Sequence, residues 1–231
     1  LERAHEMIEC CRGALVMVTM APEMDGVDEI ARLFFDQGIV CSAGHTSAHY
    51  REGVLAIGLG FRTLTHAFNA MPGIHHRKPG PVIAAFEDKR VTLELILDGL
   101  HVHPDVAAMA FAAAPDRIAL VTDAMAAAGS SDGDYRLGSL NVTVKDGLAV
   151  LSGTSTIAGS TLTQDRALRI AIERARITPA QAVEALTLTP ARVLGLEKQF
   201  GYLKPGYAAD AVLLDHEWRV TSVWGAGRTL S

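Results

Sequence analysis

The chain has 231 residues and a net charge of −5, and 49% of its residues are hydrophobic. This is enough for a globular protein with a buried core. No basic run favours a nucleic-acid ligand, and no apolar stretch approaches the roughly 20 residues that a membrane helix needs. Because Cys10 and Cys11 are adjacent and only one other cysteine is present, a disulfide framework is disfavoured, and we expect a cytoplasmic protein.

Short apolar runs alternate with amphipathic segments through the first half of the chain, after an opening helical segment. The pattern predicts five units in which a strand is followed by a helix, and strands that are apolar nearly throughout are typical of a parallel sheet covered on both faces. The predicted strands lie at 14–20, 39–44, 62–65, 91–100 and 117–122.

Four consecutive predicted strands are followed by His45, His66, His101 and Asp123. In a barrel of alternating strands and helices, the carboxyl ends of the strands meet at the mouth where active sites lie. No G-x-G-x-x-G motif follows the first strand, which disfavours the alternative, a doubly wound nucleotide-binding sheet. We therefore predict a (β/α)8 TIM-type barrel that is incomplete at the N-terminus, with about three of its eight strands expected upstream of Leu1.

The second half of the chain is predicted to be more varied. Alternating residues around Asp146 and Gly147 indicate a β-hairpin at about 135–152, which would be an excursion from the barrel. Helical patterns follow, and the tail is strand-like. We predict a metallohydrolase barrel over 1–195 and a small β-sandwich portion over 196–231.

The residues at the strand ends suggest metal chemistry. Imidazoles from adjacent strand ends, such as His45 and His66, can reach one ion at about 2.0–2.1 Å, although either histidine alone is more often structural. Asp123 would stay ionised beside a cation and could carry a proton, and a turn or helix cap is its alternative role. His101 is predicted to donate a hydrogen bond to the substrate, whereas His103 is expected to point away, as a cap of the next helix or as a surface group.

The segment 65–80, THAFNAMPGIHHRKPG, is predicted to be a binding loop. Its Pro and Gly residues stop regular structure, while Asn69 and Arg77 offer an amide and a guanidinium group. The guanidinium geometry suits a phosphate, and a solvated surface charge is the alternative.

Six stretches occur in the order SAGHTSAHY, THAFNAMP, RKPG, LILDGLHVHP, LVTDAM and TIAGSTLT. Together they resemble the N-acetylglucosamine-6-phosphate deacetylases of the amidohydrolase superfamily, and the tail GYLKPGYAADAVLLD is similar to the family's closing β-sandwich strands. The resemblance implies that His45 and His66 bind a divalent metal, zinc or alternatively iron, and that Asp123 is the catalytic acid/base. The substrate contacts that it implies are Asn69, Ala70, Arg77, His101, Ile157, Ala158 and Gly159.

The implied reaction is hydrolysis of the acetamide of a phosphorylated amino sugar, with His101 stabilising the oxyanion and Asp123 passing a proton to the departing amine, in a homodimer. The family's metal-binding glutamate would lie before Leu1, and Glu23 corresponds to a different, non-ligand glutamate. Two alternatives stay open. The chain could be a non-catalytic or incomplete fragment of this fold, or an amidohydrolase acting on another amide or a cyclic imide.

Overall fold

A five-stranded parallel sheet forms the centre of the computed structural model, which describes residues 1–230. The strands are neighbours in chain order, and all four pairings are parallel. Their carboxyl ends therefore lie at one edge of the sheet. The prediction of five parallel strands is confirmed. The strands are β1 (Met17–Met20), β2 (Val40–Ala43), β3 (Phe61–Leu64), β4 (Thr92–Ile96) and β5 (Ile118–Val121).

Helices connect the strands, as predicted. The fourth helix, α4 (Gly80–Glu87), and the fifth, α5 (Pro104–Ala113), have proline in their first turn, where the missing N–H costs nothing. His103 is the N-cap of α5, and its ring Nδ1 accepts the backbone N–H of Asp105 at 3.2 Å, so its prediction as a cap is confirmed. The helices of this half are α1 (Glu2–Cys11), α2 (Val27–Asp36), α3 (Tyr50–Gly58), α4 (Gly80–Glu87) and α5 (Pro104–Ala113).

Strand β4 is the most deeply buried part of the core. Leu93, Leu95 and Ile96 have no exposed surface, and because successive residues point to opposite faces, both faces of the sheet are covered here. Helices α3 and α4 pack closely against each other. A Cβ on Gly53 of α3 would lie 3.1 Å from the Cβ of Ala84, so the small residue permits the approach.

The chain after β5 forms two further sheets and three helices. Strands β7 (Leu140–Lys145) and β8 (Leu148–Leu151) pair antiparallel around the predicted turn, and β6 (Gly133–Leu137) adds a strand that was not predicted. Helices α6 (Gln164–Glu173), α7 (Pro179–Leu186) and α8 (Leu188–Val193) follow, and then strands β9 (Ala211–Leu214), β10 (Val220–Gly225) and β11 (Arg228–Thr229). The division into domains at 195 stays a prediction.

The helices of residues 1–230 include none with the length and apolar character needed to cross a membrane.

Arg117, just before β5, binds the end of α4 to the sheet. Its Nη1 donates to the carbonyls of Ala85, Asp88 and Val91 at 3.0, 3.0 and 2.7 Å, and its Nη2 donates to the carbonyl of Phe86 at 2.8 Å. The half-buried guanidinium thus satisfies carbonyls that the helix end leaves without intrahelical partners.

We expect Arg117→Met to lower the free energy of unfolding by about 2–3 kcal/mol, because charge-assisted hydrogen bonds are lost and buried carbonyls are left unpaired. Urea denaturation measures the change. Arg90→Met is the matched control, since its ion pair with Asp88 is 57% exposed on the arginine side and should contribute little to the free energy of unfolding. Equal losses in the two variants would contradict this role of Arg117.

Candidate active site at the carboxyl edge of the sheet

The predicted pair of histidines converges at the carboxyl edge of the sheet. His45 and His66 lie just after β2 and β3, and their Nε2 atoms are 2.9 Å apart. The ring centroids are 4.7 Å apart in an edge-on arrangement. The His66 residue is only 6% exposed, whereas His45 is exposed. The sequence spacing therefore predicted their proximity correctly.

The backbone is strained where the candidate groups occur. His45, His66 and Asp123 have φ angles of 47°, 30° and 49°, which lie in the left-handed region that side-chain-bearing residues rarely adopt. Each such residue costs on the order of 1–3 kcal/mol and persists only where its surroundings hold it. Phe68 and Ala70 share this conformation, with φ of 77° and 50°. Strain of this kind clusters at functional sites.

Glu23 holds the loop that carries His45. Its carboxylate accepts hydrogen bonds from the Thr46 hydroxyl and from the backbone N–H of Ser47, the latter at 2.6 Å. Burial acts to raise the pKa of Glu23, but these hydrogen bonds outweigh it and hold the pKa below its usual value. The Thr46 N–H donates in turn to the carbonyl of Ala70 at 3.0 Å. Glu23 and Thr46 together therefore tie the loops after β1, β2 and β3 to one another. That Glu23 is not a metal ligand stays a prediction.

The electrostatics keep His66 neutral. Burial, followed by the electrostatic effect of the neighbouring His45, holds the pKa of His66 below its ordinary value. A neutral imidazole is the form that binds a metal ion. Its Nδ1 is buried and finds no hydrogen-bond partner among residues 1–230. These properties suit a ligand better than a charged surface histidine.

The two imidazoles fit part of a metal site. Nitrogens bound at about 2.0–2.1 Å to one tetrahedral ion lie about 3.3–3.4 Å apart, and a small rotation of the rings would open the 2.9 Å separation to that distance. Within residues 1–230, no group of three or more His, Cys, Asp or Glu side chains is arranged to hold an ion. The described residues thus offer two nitrogens, and their role as ligands stays a prediction.

Two acidic side chains on and after β4 were not predicted. Glu94 lies within the strand and is 8% exposed. Burial raises its pKa to about 7, the charge of Asp123 adds to the shift, and a hydrogen bond from the His66 backbone opposes it. A lone charged residue inside an apolar strand was the signal in the sequence. Asp98 follows the strand, and its Oδ2 lies 2.6 Å from Nδ1 of His101.

The loop 65–80 has the irregular form that was predicted. The side-chain Nδ2 of Asn69 donates to the carbonyls of His66 and Ala67 at 3.2 and 3.3 Å. This NH2 group therefore supports the backbone of the loop. A tight turn follows in which the Lys78 N–H donates to the His75 carbonyl at 2.9 Å. Arg77, at the tip of this turn, is exposed and forms no ion pair within residues 1–230.

The segment 157–159, predicted to contact the substrate through its backbone, lies beside Asp123. The Ser160 N–H donates to the carbonyl of Asp123, and the Met125 N–H donates to the carbonyl of Ser160, both at 2.9 Å. Gly159 has φ of 65°, and a Cβ there would lie 3.2 Å from the Cβ of Met125. The structure thus brings this segment to the same edge as the two histidines.

Comparisons with known proteins agree with the geometry. The amidohydrolase family profile matches residues 2–230. An N-acetylgalactosamine-6-phosphate deacetylase of Escherichia coli O157:H7 is 39% identical over 98% of this chain and 60% of its own length. The N-acetylglucosamine-6-phosphate deacetylase of Vibrio furnissii is 34% identical over 99% of this chain and 57% of its own length.

Among solved structures, the N-acetyl-D-glucosamine-6-phosphate deacetylase from Mycobacterium smegmatis is similar, with a TM-score of 0.94 and 40% identity. The similarity covers 99% of this chain and 61% of that one. The chain therefore spans about three fifths of the length of these relatives.

The support that Glu23 gives to the histidine loop can be tested by hydrogen exchange. We expect Glu23→Ala to accelerate exchange of the Ser47 amide about 10-fold, because this N–H loses a charge-assisted acceptor. Two-dimensional NMR in deuterated buffer measures the rate. Glu29→Ala, on the exposed first turn of α2, is the control and should leave the Ser47 amide unchanged. An unaltered Ser47 rate in Glu23→Ala would show that the loop is held by other contacts.

Proposed function

The chain belongs to the amidohydrolase family, and on this basis we propose that it deacetylates N-acetylglucosamine 6-phosphate to glucosamine 6-phosphate and acetate. The observation that carries the proposal is the convergence of the His45 and His66 Nε2 atoms, 2.9 Å apart, at the edge of the sheet that also bears Asp123. Relatives named N-acetylglucosamine-6-phosphate deacetylase are 34–37% identical to this chain and cover 91–99% of it.

The five-stranded sheet is, in this proposal, part of a (β/α)8 barrel. Two features support it. The strands follow one another in chain order, and the parallel bridge between Ala124 and Ser160 extends the same edge beyond β5. A barrel of this kind collects its catalytic groups at the carboxyl ends of the strands.

The metal would be held by Nε2 of His45 and of His66, and zinc is the proposed ion, with iron as the alternative. When bound, a divalent cation activates a water molecule and polarises the amide carbonyl. Burial keeps His66 neutral, which leaves its nitrogen lone pair available. The carboxylate of Asp123 places negative charge beside His66, which suits a cation.

Asp123 acts as the general base and then as the general acid. It takes a proton from the water that attacks the acetamide carbon, and it returns a proton to the amine nitrogen as the C–N bond breaks. Its left-handed backbone, φ 49°, and the hydrogen bond between its carbonyl and the Ser160 N–H orient it. His101 and the backbone of 157–159 contact the sugar.

The phosphate is bound by Arg77, together with Asn69 and Ala70 of the same loop. An exposed guanidinium with no acidic partner among residues 1–230 is available for a dianion. The family resemblance further suggests a homodimer, and three free cysteines suit the reducing cytoplasm.

A second candidate substrate is N-acetylgalactosamine 6-phosphate, because relatives named for that substrate are 39% and 45% identical to this chain. The two sugars differ only in the configuration at C4. Acetate release from each purified substrate, compared as kcat/KM, decides between them. Hydrolysis of neither would favour another amide, a cyclic imide or a non-catalytic fold.

We expect Asp123→Asn to lower kcat by about 100- to 10,000-fold, because the amide cannot exchange the proton. Metal content, measured by plasma emission spectrometry, should stay the same. Asp116→Asn is a matched control, since Asp116 is also in the left-handed region, with φ of 62°, but lies in an exposed turn. Loss of metal from Asp123→Asn would make Asp123 a ligand and overturn its role as the proton carrier.

Arg77→Ala should raise KM for the phosphorylated sugar by about 10- to 100-fold with little change in kcat, because a charge-assisted contact is lost on binding. Inorganic phosphate should inhibit the unaltered protein competitively and the variant much less. Lys78→Ala removes the same charge from the same turn and should have a smaller effect. If both variants raise KM equally, the turn acts only through its net charge.

A further inference from the structure

A buried carboxylate and a buried imidazole form a pair in the turn between β4 and α5. The Asp98 and His101 side chains are each 8% exposed, and Oδ2 of Asp98 lies 2.6 Å from Nδ1 of His101. The other carboxylate oxygen, Oδ1, accepts the backbone N–H groups of Leu100 and His101, both at 2.8 Å. Gly99, with φ of 82°, supplies the left-handed turn that lets both N–H groups face the same oxygen.

These contacts determine which atom holds the proton. Burial acts to raise the pKa of Asp98, but the hydrogen bonds from His101 and Leu100 outweigh it and hold the pKa below its usual value. The carboxyl group is therefore ionised and can only accept. An ionised oxygen 2.6 Å from Nδ1 requires that Nδ1 carry a hydrogen, since two lone pairs at this distance would repel.

We propose that Asp98 is a positioning residue, which keeps a proton on Nδ1 of His101 and makes Nε2 the nitrogen that faces the ligand. The neutral ring then accepts a hydrogen bond through Nε2, which suits a sugar hydroxyl. It can donate through Nε2 only as an imidazolium, whose charge the Asp98 carboxylate balances. This refines the expectation that His101 is simply a donor.

A charged side chain packs against the turn that holds this pair. The guanidinium of Arg174, at the end of α6, packs on Gly99, and its Nη1 lies 2.8 Å from the position that a Cβ would take. The other acidic and imidazole pair nearby, His103 with Asp105, is separated by 3.7 Å, and both side chains are about two-thirds exposed. It is a natural control, because a loose surface pair should fix no tautomer.

The tautomer can be observed directly in the protein labelled with ¹⁵N-histidine. Long-range ¹H–¹⁵N spectra show which ring nitrogen carries a proton, and a His101→Gln variant identifies the signal. We expect Nδ1 to be protonated. Protonation of Nε2 alone would overturn the proposal, and this measurement needs neither a variant of Asp98 nor an active enzyme.

The variant Asp98→Asn tests whether Asp98 determines which ring nitrogen of His101 carries the proton. Its carbonyl oxygen can still accept the two backbone N–H groups, while its amide N–H faces Nδ1, so the proton should move to Nε2. Asp105→Asn should leave the His101 signals unchanged. A lower melting temperature without a change of tautomer would mean that Asp98 only holds the turn, and would overturn its role as a positioning residue.

The kinetic consequence rests on the proposed function. Asp98→Asn should lower kcat/KM for the phosphorylated sugar by about 10- to 100-fold, by analogy with the range found where an outer carboxylate orients a metal-binding histidine. Competitive inhibition by inorganic phosphate should be unchanged, because Arg77 is intact. If the unaltered protein shows no deacetylase activity, the proposed function fails, whereas the spectra still decide the role of Asp98.

Discussion

The parallel pairing of five strands in chain order is the constraint on which the candidate site depends. Because every strand runs in the same direction, every following loop begins at the same edge. Strand β4, buried on both faces, lies inside this arrangement between β3 and β5. His66, His101 and Asp123 therefore follow neighbouring strand ends, two, five and two residues after β3, β4 and β5.

The backbone is strained at the carboxyl edge of the parallel sheet. Three residues with candidate chemical roles adopt left-handed backbone conformations, and each lies beside hydrogen bonds that hold its loop. The supports are Glu23 for the loop of His45, the Asn69 amide for the carbonyl of His66, and Ser160 for the carbonyl of Asp123. Rigid loops reduce the entropy lost when a ligand or ion binds, which is the usual advantage of a preorganised site.

The sequence predicted the strands, the histidine pair and the cap at His103 because each has a local signal: an apolar run, a repeat spacing or a following proline. It did not predict β6, whose sequence GDYRL has little apolar pattern and becomes a strand by pairing with β7. It also extended β4 to residue 100, whereas the strand ends at Ile96. The Asp98 carboxylate accepts two backbone N–H groups and so turns the chain. Hydrophobic periodicity does not reveal that a side chain competes with the strand ladder for these N–H groups.

The segment 156–163 belongs to two sheets at once. Ile157 forms a bridge with Val150 of the small antiparallel sheet, and Ser160, three residues on, forms a parallel bridge with Ala124 beside the candidate acid. These two bridges connect the small antiparallel sheet to the carboxyl edge of the parallel sheet. A slip of one residue in the register of β8 would shift the backbone of 157–159 along Asp123, whereas a change of length in the exposed turn at Gly138 would not. Natural variation in this sheet should therefore be tolerated in its outer turn and restricted along its inner strand.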